Sequence, residues 1–182
     1  MFELIIWIIL SIPLFIISRR SLLHVSSHGF YRFFAWECIL WLIIINCRYW
    51  FTNPFSIAQI FSWIFLFYSL FLLVPAVQLM KKLGKPQENR SGDILYSFEK
   101  TSELVQSGIF KYIRHPMYGS LLFLTWGVCL KNPEIILIII SVLSSIFLYA
   151  TAKTEEKEDI KFFGDKYKEY AGRTKMFVPY IF

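Results

Sequence analysis

The sequence predicts an all-α integral membrane protein with five transmembrane helices, a tight hairpin between the fourth and fifth, and a C-terminal amphipathic cytoplasmic helix. Of the 182 residues, 56% are hydrophobic and 18% are charged, and the mean hydropathy is +0.51. A soluble domain carries about a quarter charged residues. The apolar residues are gathered into separate stretches, with lysine and arginine concentrated between alternate stretches. These observations exclude a disordered chain, a disulfide scaffold and an ordinary soluble enzyme.

Five apolar stretches approach the length of about 20 residues that a helix needs to cross a bilayer. They cover residues 1–17, roughly 31–50, 57–79, roughly 116–130 and roughly 134–152. The first has no basic segment before it and no small-residue cleavage site after it, so we expect a retained span rather than a signal peptide. The last two are separated by Lys131, Asn132 and Pro133 alone, which predicts the tight hairpin.

The distribution of positive charge predicts the orientation. Of the 19 lysines and arginines, 17 lie in the first connection, the third connection and the tail, whereas Arg48 and Lys131 lie in the other two connections. Because lysine and arginine collect on the cytoplasmic side of a membrane, we expect the N-terminus outside and the C-terminus in the cytoplasm. The net charge of +6 then indicates topology and contact with anionic membrane lipids, not nucleic acid.

The chain is expected to form a single membrane domain over residues 1–182. Residues 1–80 supply three spans, and residues 81–182 hold the two long polar segments in which chemistry could be built. Residues 154–170 keep a helical period with lysines on one face, which predicts an amphipathic helix that continues from the fifth span. His24 and His28 are interpreted as ordinary loop residues, and no metal site is predicted.

Two groups of residues could carry chemistry. Pro116 suits the first turn of the fourth span, so His115 lies near its N-cap beside Arg114. The positive end of that helix could hold a carboxylate or phosphate, although an interfacial anchor is the alternative. Glu155 and Glu156 follow the fifth span in a basic surrounding, as part of a site or as a solvated charge run. No Rossmann, Walker, HExxH or GxSxG motif occurs.

The segment ELVQSGIFKYIRHPMYG, residues 103–119, resembles the LV-x-x-G-(I/V)-Y-x-x-x-RHP-x-Y-x-G signature of the isoprenylcysteine carboxyl methyltransferase family. The membrane phospholipid methyltransferases are relatives of that family. An Asn-Pro turn, the Glu155–Glu156 pair, the segment FGDKYKEY at 163–170 and Pro179 follow in the family's order. The resemblance covers roughly residues 101–179.

The resemblance implies an integral membrane enzyme that uses S-adenosylmethionine to methylate a lipophilic acceptor entering from the bilayer. The implied catalytic residues are Arg114, Glu155 and Glu156. The implied cofactor-binding residues are Ser102, Glu103, Leu104, Val105, Phe110, His115, Pro116, Tyr118, Glu155 and Glu156. Methyl transfer from a sulfonium is an in-line displacement without a covalent enzyme intermediate, so no catalytic triad is expected.

The chain departs from the resemblance at the acceptor side. The carboxyl methyltransferases have an arginine four residues before the first glutamate of the pair, attributed to holding the substrate carboxylate; here that position is Thr151, and Phe110 replaces the usual tyrosine. The acceptor could therefore be an isoprenylcysteine carboxylate, a phospholipid amine, a small thiol or another lipophilic group. An NADPH-dependent reductase related to the sterol reductases and a non-enzymatic membrane scaffold are the alternative functions.

Overall fold

The computed structural model describes residues 1–84 and 103–180. Their six α-helices are listed in chain order as follows: α1 Phe2–Leu22, α2 His28–Asn46, α3 Ile57–Leu83, α4 Pro116–Cys129, α5 Ile135–Phe163 and α6 Asp165–Arg173. Short 3-10 turns occupy Cys47–Tyr49 and Gly108–Lys111. These described ranges contain no β-strand, only a single parallel bridge between Ile113 and Lys175. The all-helical prediction is confirmed.

Four helices are long and apolar enough to cross a membrane. They are α1, α2 with its following 3-10 turn, α3 and α5. The predicted fourth stretch forms α4, which has 14 residues and is shorter than the roughly 20 that a perpendicular span needs. The described residues therefore form an integral membrane fold with four helices of spanning length and one short helix packed among them.

Small residues bring α4 close to α3. The Ser62 hydroxyl donates to the Gly127 carbonyl over 2.6 Å, and the Ser69 hydroxyl donates to the Ser120 carbonyl over 2.8 Å. A Cβ added at Gly127 would lie 3.0 Å from the Leu66 side chain, so glycine permits this approach. In a membrane such close packing and interhelical hydrogen bonds supply the attraction that burial from water cannot.

The helix α5 packs against both α4 and α2 and presents one long stripe of small and apolar residues to them. The buried members of the stripe are Leu137, Ser141, Ser144, Leu148, Thr151, Ala152 and Glu156. Its apolar part ends at Ala152, and the same face then continues into Glu156. The helix that contributes to the apolar core therefore also contains Glu155 and Glu156, just beyond the apolar region.

The predicted amphipathic helix over residues 154–170 is interrupted. The helix α5 ends at Phe163, and Gly164 adopts φ +63°, a conformation that favours glycine. A new helix, α6, then turns Tyr167 and Tyr170 into the protein. The helical period alone did not reveal this break, because the glycine changes the direction of the chain without removing the pattern.

Candidate functional site at the N-terminus of α4

His115 lies at the junction between the loop and α4, where its ring faces the acidic pair. It is the N-cap residue, with Pro116 as the first helical residue. Its Nδ1 lies 3.3 Å from the Glu155 Oε2, and its Nε2 lies 3.5 Å from the Glu156 Oε1. The ring also stacks on Tyr118, with 5.7 Å between the ring centres. The structure thus brings His115, Tyr118, Glu155 and Glu156 together.

Glu156 is the centre of an ion cluster. Arg114 Nε donates to its Oε1 over 2.5 Å, and Lys153 Nζ donates to its Oε2 over 2.9 Å. A second nitrogen of Arg114 donates to the Thr174 carbonyl over 2.6 Å. Both carboxylate oxygens of Glu156 are therefore occupied by side chains of the protein.

The electrostatics of His115 follow from this arrangement. Burial alone opposes the charged imidazolium, but hydrogen bonding and the charges of Glu155 and Glu156 outweigh it and raise the pKa of His115 above its ordinary value. Among the described residues the buried Nε2 makes no hydrogen bond of normal geometry, although the Glu156 Oε1 lies 3.5 Å away. A buried donor without a partner costs about 1–3 kcal/mol, so this nitrogen is a place where a ligand atom could bind.

The C-terminal segment after α6 is hydrogen-bonded to the loop that contains His115. The backbone N–H groups of Arg114 and His115 donate to the carbonyls of Lys175 and Met176 over 2.9 and 3.1 Å. Phe177 is almost fully buried, and its carbonyl would lie 3.0 Å from a Cβ added at Gly119. The glycine therefore lets this segment cross the first turns of α4.

This C-terminal strap, residues 175–178, was not predicted from the sequence. Its signal is weak: a short apolar run, Met176–Val178, after a polar helix gives no indication of which segment it covers. The hydrogen bonds to the loop, which are made by the backbone, leave no trace in residue type. The strap fixes the direction of the His115 ring, so it belongs to the site through its position rather than its chemistry.

The remaining predicted cofactor residues lie in the loop before Arg114. Val105 and Phe110 are buried and pack against Ala76 of α3. The Tyr170 hydroxyl donates to the Phe110 carbonyl over 2.8 Å, which ties this loop to α6. Leu104 is half-buried and Glu103 is exposed. Ser102 lies outside the described residues.

Thr151, the position of the expected substrate arginine, is fully buried. Its hydroxyl donates to the Phe147 carbonyl one turn earlier, over 2.7 Å. An arginine here would bury a guanidinium within the helix packing. The structure therefore indicates that Thr151→Arg would disrupt the packing of α5.

An open apolar groove of about 450 Å³ lies between α4 and α5. It is lined by Leu122, Trp126, Val142, Ser145, Ile146, Tyr149 and Phe177. Phe177 also contacts the His115 ring, with 6.4 Å between the ring centres. Phe177 therefore belongs both to the lining of the groove and to the surroundings of His115.

His28 is not the ordinary loop residue that the sequence suggests. It is the first residue of α2, is 1% exposed, and pairs with Glu158 of α5. Sequence spacing could not have shown this pairing, because 130 residues separate the partners. In the described ranges, no three His, Cys, Asp or Glu side chains are placed to hold a metal ion.

The fold and this site define a class of protein: a helical membrane protein whose polar centre lies at the N-terminal end of a short helix. Residues 70–166, just over half of the chain, match the phospholipid methyltransferase family, and the chain belongs to that family. Arg114, His115 and the Glu155–Glu156 pair all lie within the matched residues.

Two curated relatives are methanethiol S-methyltransferases. The chain is 30% identical over 73 residues to the enzyme of Pseudomonas deceptionensis, covering 39% of this chain and 26% of the relative. It is 26% identical over 72 residues to methanethiol S-methyltransferase 1 of Bradyrhizobium diazoefficiens, covering 40% of this chain and 25% of the relative. The match thus spans about a quarter of each relative's length. No solved structure matches the chain.

Proposed function

We propose that this protein is an S-adenosylmethionine-dependent membrane methyltransferase that acts on a lipophilic thiol. The observation that carries the proposal is the meeting of His115, at the N-terminus of α4, with the two glutamates of α5. This meeting lies within the residues that match a methyltransferase family. A membrane scaffold would not require two acids around a buried imidazole at one helix end.

The chemistry of these groups fits the amino-acid portion of S-adenosylmethionine, which carries an ammonium and a carboxylate. The buried His115 Nε2 and the N-terminus of α4 are donors suited to the carboxylate. Glu155, which is less engaged than Glu156, is suited to the ammonium or to a hydroxyl of the ribose. Tyr118, which stacks on the His115 ring, is an aromatic side chain near this point, and aromatic faces suit a sulfonium.

When bound, S-adenosylmethionine would supply a sulfonium methyl group. An acceptor already ionised to its thiolate would form a C–S bond to that methyl group while the sulfonium C–S bond breaks and S-adenosylhomocysteine leaves. The protein has to hold the cofactor-binding side chains in a fixed geometry and exclude water from the reacting atoms. Arg114 and Lys153 fix Glu156, and the stack with Tyr118 fixes the His115 ring. Rigid placement of this kind is the main source of acceleration for a bimolecular displacement.

The described site favours an apolar acceptor without a carboxylate. The surface of the groove between α4 and α5 is almost entirely apolar. The two cations beside the glutamates, Arg114 and Lys153, are already paired with Glu156. Position 151 holds a buried threonine rather than an arginine. The names of the two relatives, which methylate a thiol, support the same acceptor chemistry.

The proposal includes a topology. The short helix α4 is the fourth of five spans and forms a hairpin with α5, the N-terminus lies outside, and α6 lies at the cytoplasmic surface with the site. The asymmetric distribution of lysine and arginine supports this orientation. Membrane lipids are the expected partners, and they would deliver the acceptor to the groove.

A methylation assay tests the acceptor. The purified protein in lipid nanodiscs is incubated with methyl-labelled S-adenosylmethionine and one of three acceptors: methanethiol, octanethiol or N-acetyl-S-farnesylcysteine. We expect label in the methyl thioether of both thiols and none in the farnesylcysteine methyl ester. Label in the ester alone would contradict the thiol assignment. Label in none of the products would contradict the enzymatic function.

Two matched variants test the groove. Ile146→Trp should fill it and lower methylation of octanethiol at least tenfold, because Ile146 lines the groove. Ile139→Trp places the same side chain two turns earlier on the exposed face of α5, outside the groove lining, and should leave the rate unchanged. Equal rates for the two variants would show that the acceptor does not use the groove.

A further inference from the structure

The pair formed by His28 and Glu158 joins the N-terminal half of the chain to the helix that carries the acidic pair. Glu158 Oε2 lies 2.6 Å from His28 Nδ1, and Glu158 Oε1 accepts the backbone N–H of His28 over 3.1 Å. The carboxylate therefore holds both the ring and the first backbone N–H of α2. A carboxylate at a helix N-terminus is also favoured by the helix dipole.

The end of α2 that His28 occupies is itself fixed. A Cβ added at Gly29 would lie 2.5 Å from the Ser21 hydroxyl, which shows how closely α2 approaches the end of α1. Arg32, one turn after His28, is buried and lies over the Trp36 ring at 5.0 Å. His28 therefore belongs to a closely packed helix end and not to a loop.

The other partner stands on the part of α5 that extends past the apolar core. Glu158 follows Glu155 by three residues, so the two carboxylates lie on neighbouring positions of one helical turn. A charged His28 also attracts the Glu155 carboxylate. If this part of α5 rotated by a few tens of degrees, Glu155 and Glu156 would no longer face His115.

We propose that His28 and Glu158 form a positioning pair that sets the rotation of the α5 extension and so directs Glu155 and Glu156 at His115. His28 lies outside residues 70–166, which match the methyltransferase family, so the proposal adds a residue of the N-terminal helices to those that position the site. The proposal rests on the proposed function only in that cofactor binding is one of its two readouts.

Four variants test the pair by calorimetry with S-adenosylhomocysteine on the protein in nanodiscs. His28→Ala and Glu158→Gln should each weaken binding about tenfold, since small misplacements of binding groups have effects of this size. His28→Asn keeps an N–H near the Nδ1 position and should return binding to within about threefold of wild type. His24→Ala is the matched control, because the His24 side chain is exposed and is hydrogen-bonded to the Arg20 carbonyl; it should bind like wild type.

A double variant shows whether the two residues act together. His28→Ala combined with Glu158→Gln should bind no more weakly than either single variant. If the two losses multiply, or if His28→Asn binds as poorly as His28→Ala, the positioning role is wrong. A His28→Ala protein that binds like wild type would also overturn it.

Amide hydrogen exchange of residues 153–158 provides the second readout, without a ligand. The proposal predicts faster exchange there in His28→Ala and Glu158→Gln but not in His24→Ala. If the wild-type protein does not bind S-adenosylhomocysteine, the proposed function fails and hydrogen exchange alone decides the pair. Unchanged exchange in both variants would contradict the positioning role, whatever the binding result. Should His28→Ala fail to fold, Glu158→Gln carries the test, because its side chain is 30% exposed.

Discussion

The two ends of α4 each bury a cation, and they satisfy it in opposite ways. Beyond the C-terminal end, the Lys131 ammonium lies 3.0 Å from the Gln59 Oε1 and 3.7 Å from the centre of the Trp63 ring. Its partners in the described part of the chain are neutral oxygens and aromatic rings. At the N-terminal end, Arg114 and His115 lie against two carboxylates. The buried Nε2 of His115 makes no hydrogen bond among the described residues.

The difference separates structure from function. Lys131 is 5% exposed and also lies close to the carbonyl end of α4, where the helix dipole favours a cation. Burial lowers the pKa of Lys131, and its ammonium is already in contact with Gln59 and Trp63. The N-terminal end of α4, in contrast, has two carboxylates around His115, and the buried Nε2 of that ring makes no hydrogen bond among the described residues. Groups of that kind are typical of a binding site.

The largest effect is expected at Glu156. Glu156→Gln removes the charge that pairs Arg114 and Lys153, which should lower the free energy of unfolding by about 3 kcal/mol, because breaking a buried ion pair leaves a charge without its partner. Denaturant titration in mild detergent measures this change. The matched control is Glu169→Gln, on the exposed side of α6, which should be neutral. An equally small effect at Glu156 would mean that the ion cluster does not hold the site together.

A smaller effect is expected at the other end. Lys131→Met leaves the buried Gln59 Oε1 without a donor and should lower the free energy of unfolding by about 1–2 kcal/mol. Binding of S-adenosylhomocysteine should be unchanged. Adding Gln59→Leu removes the unpaired oxygen but also the hydrogen bonds that Gln59 donates to the Tyr49 and Lys131 carbonyls, so it should restore only part of the loss. If Lys131→Met abolishes ligand binding, the comparison between the two ends fails.

The smallest effect concerns pH. Because the folded pKa of His115 is raised, its charge stabilises the fold fully below the ordinary histidine value of about 6.5, and this contribution is lost as the pH rises through the folded pKa. Each unit of elevation is worth about 1.4 kcal/mol. The melting temperature of wild type should therefore fall as the pH rises above about 6.5, and that of His115→Gln should fall less. Parallel curves for the two proteins would contradict this assignment.

Much of the fold follows from the sequence, and the exceptions have physical reasons. Apolar length located α1, α2, α3 and α5, since it reflects the solvent that surrounds each helix. It could not give the spanning state of α4, whose 14 residues depend on its neighbours. Gly164 redirected the tail through a single positive φ, which a helical period does not record.

The residues of the candidate site that could be predicted are those whose types and spacing along the chain form a recognisable motif. Arg114, His115, Glu155 and Glu156 were identified from motif spacing, and the structure places them in contact. The strap at Met176 and Phe177 acts through backbone groups, and the His28–Glu158 pair joins residues 130 positions apart. Neither leaves a local pattern, so neither could be read from the sequence.

The central claim is that the acids facing His115 bind S-adenosylmethionine, and calorimetry with S-adenosylhomocysteine tests it most directly. We expect wild type and Lys131→Met to bind equally and Glu155→Gln to bind about tenfold to a hundredfold more weakly, since a charge-assisted hydrogen bond contributes roughly 1.5–3 kcal/mol. NADP should not bind to any of the three proteins. Wild-type affinity in Glu155→Gln, or binding of NADP in place of S-adenosylhomocysteine, would contradict the account.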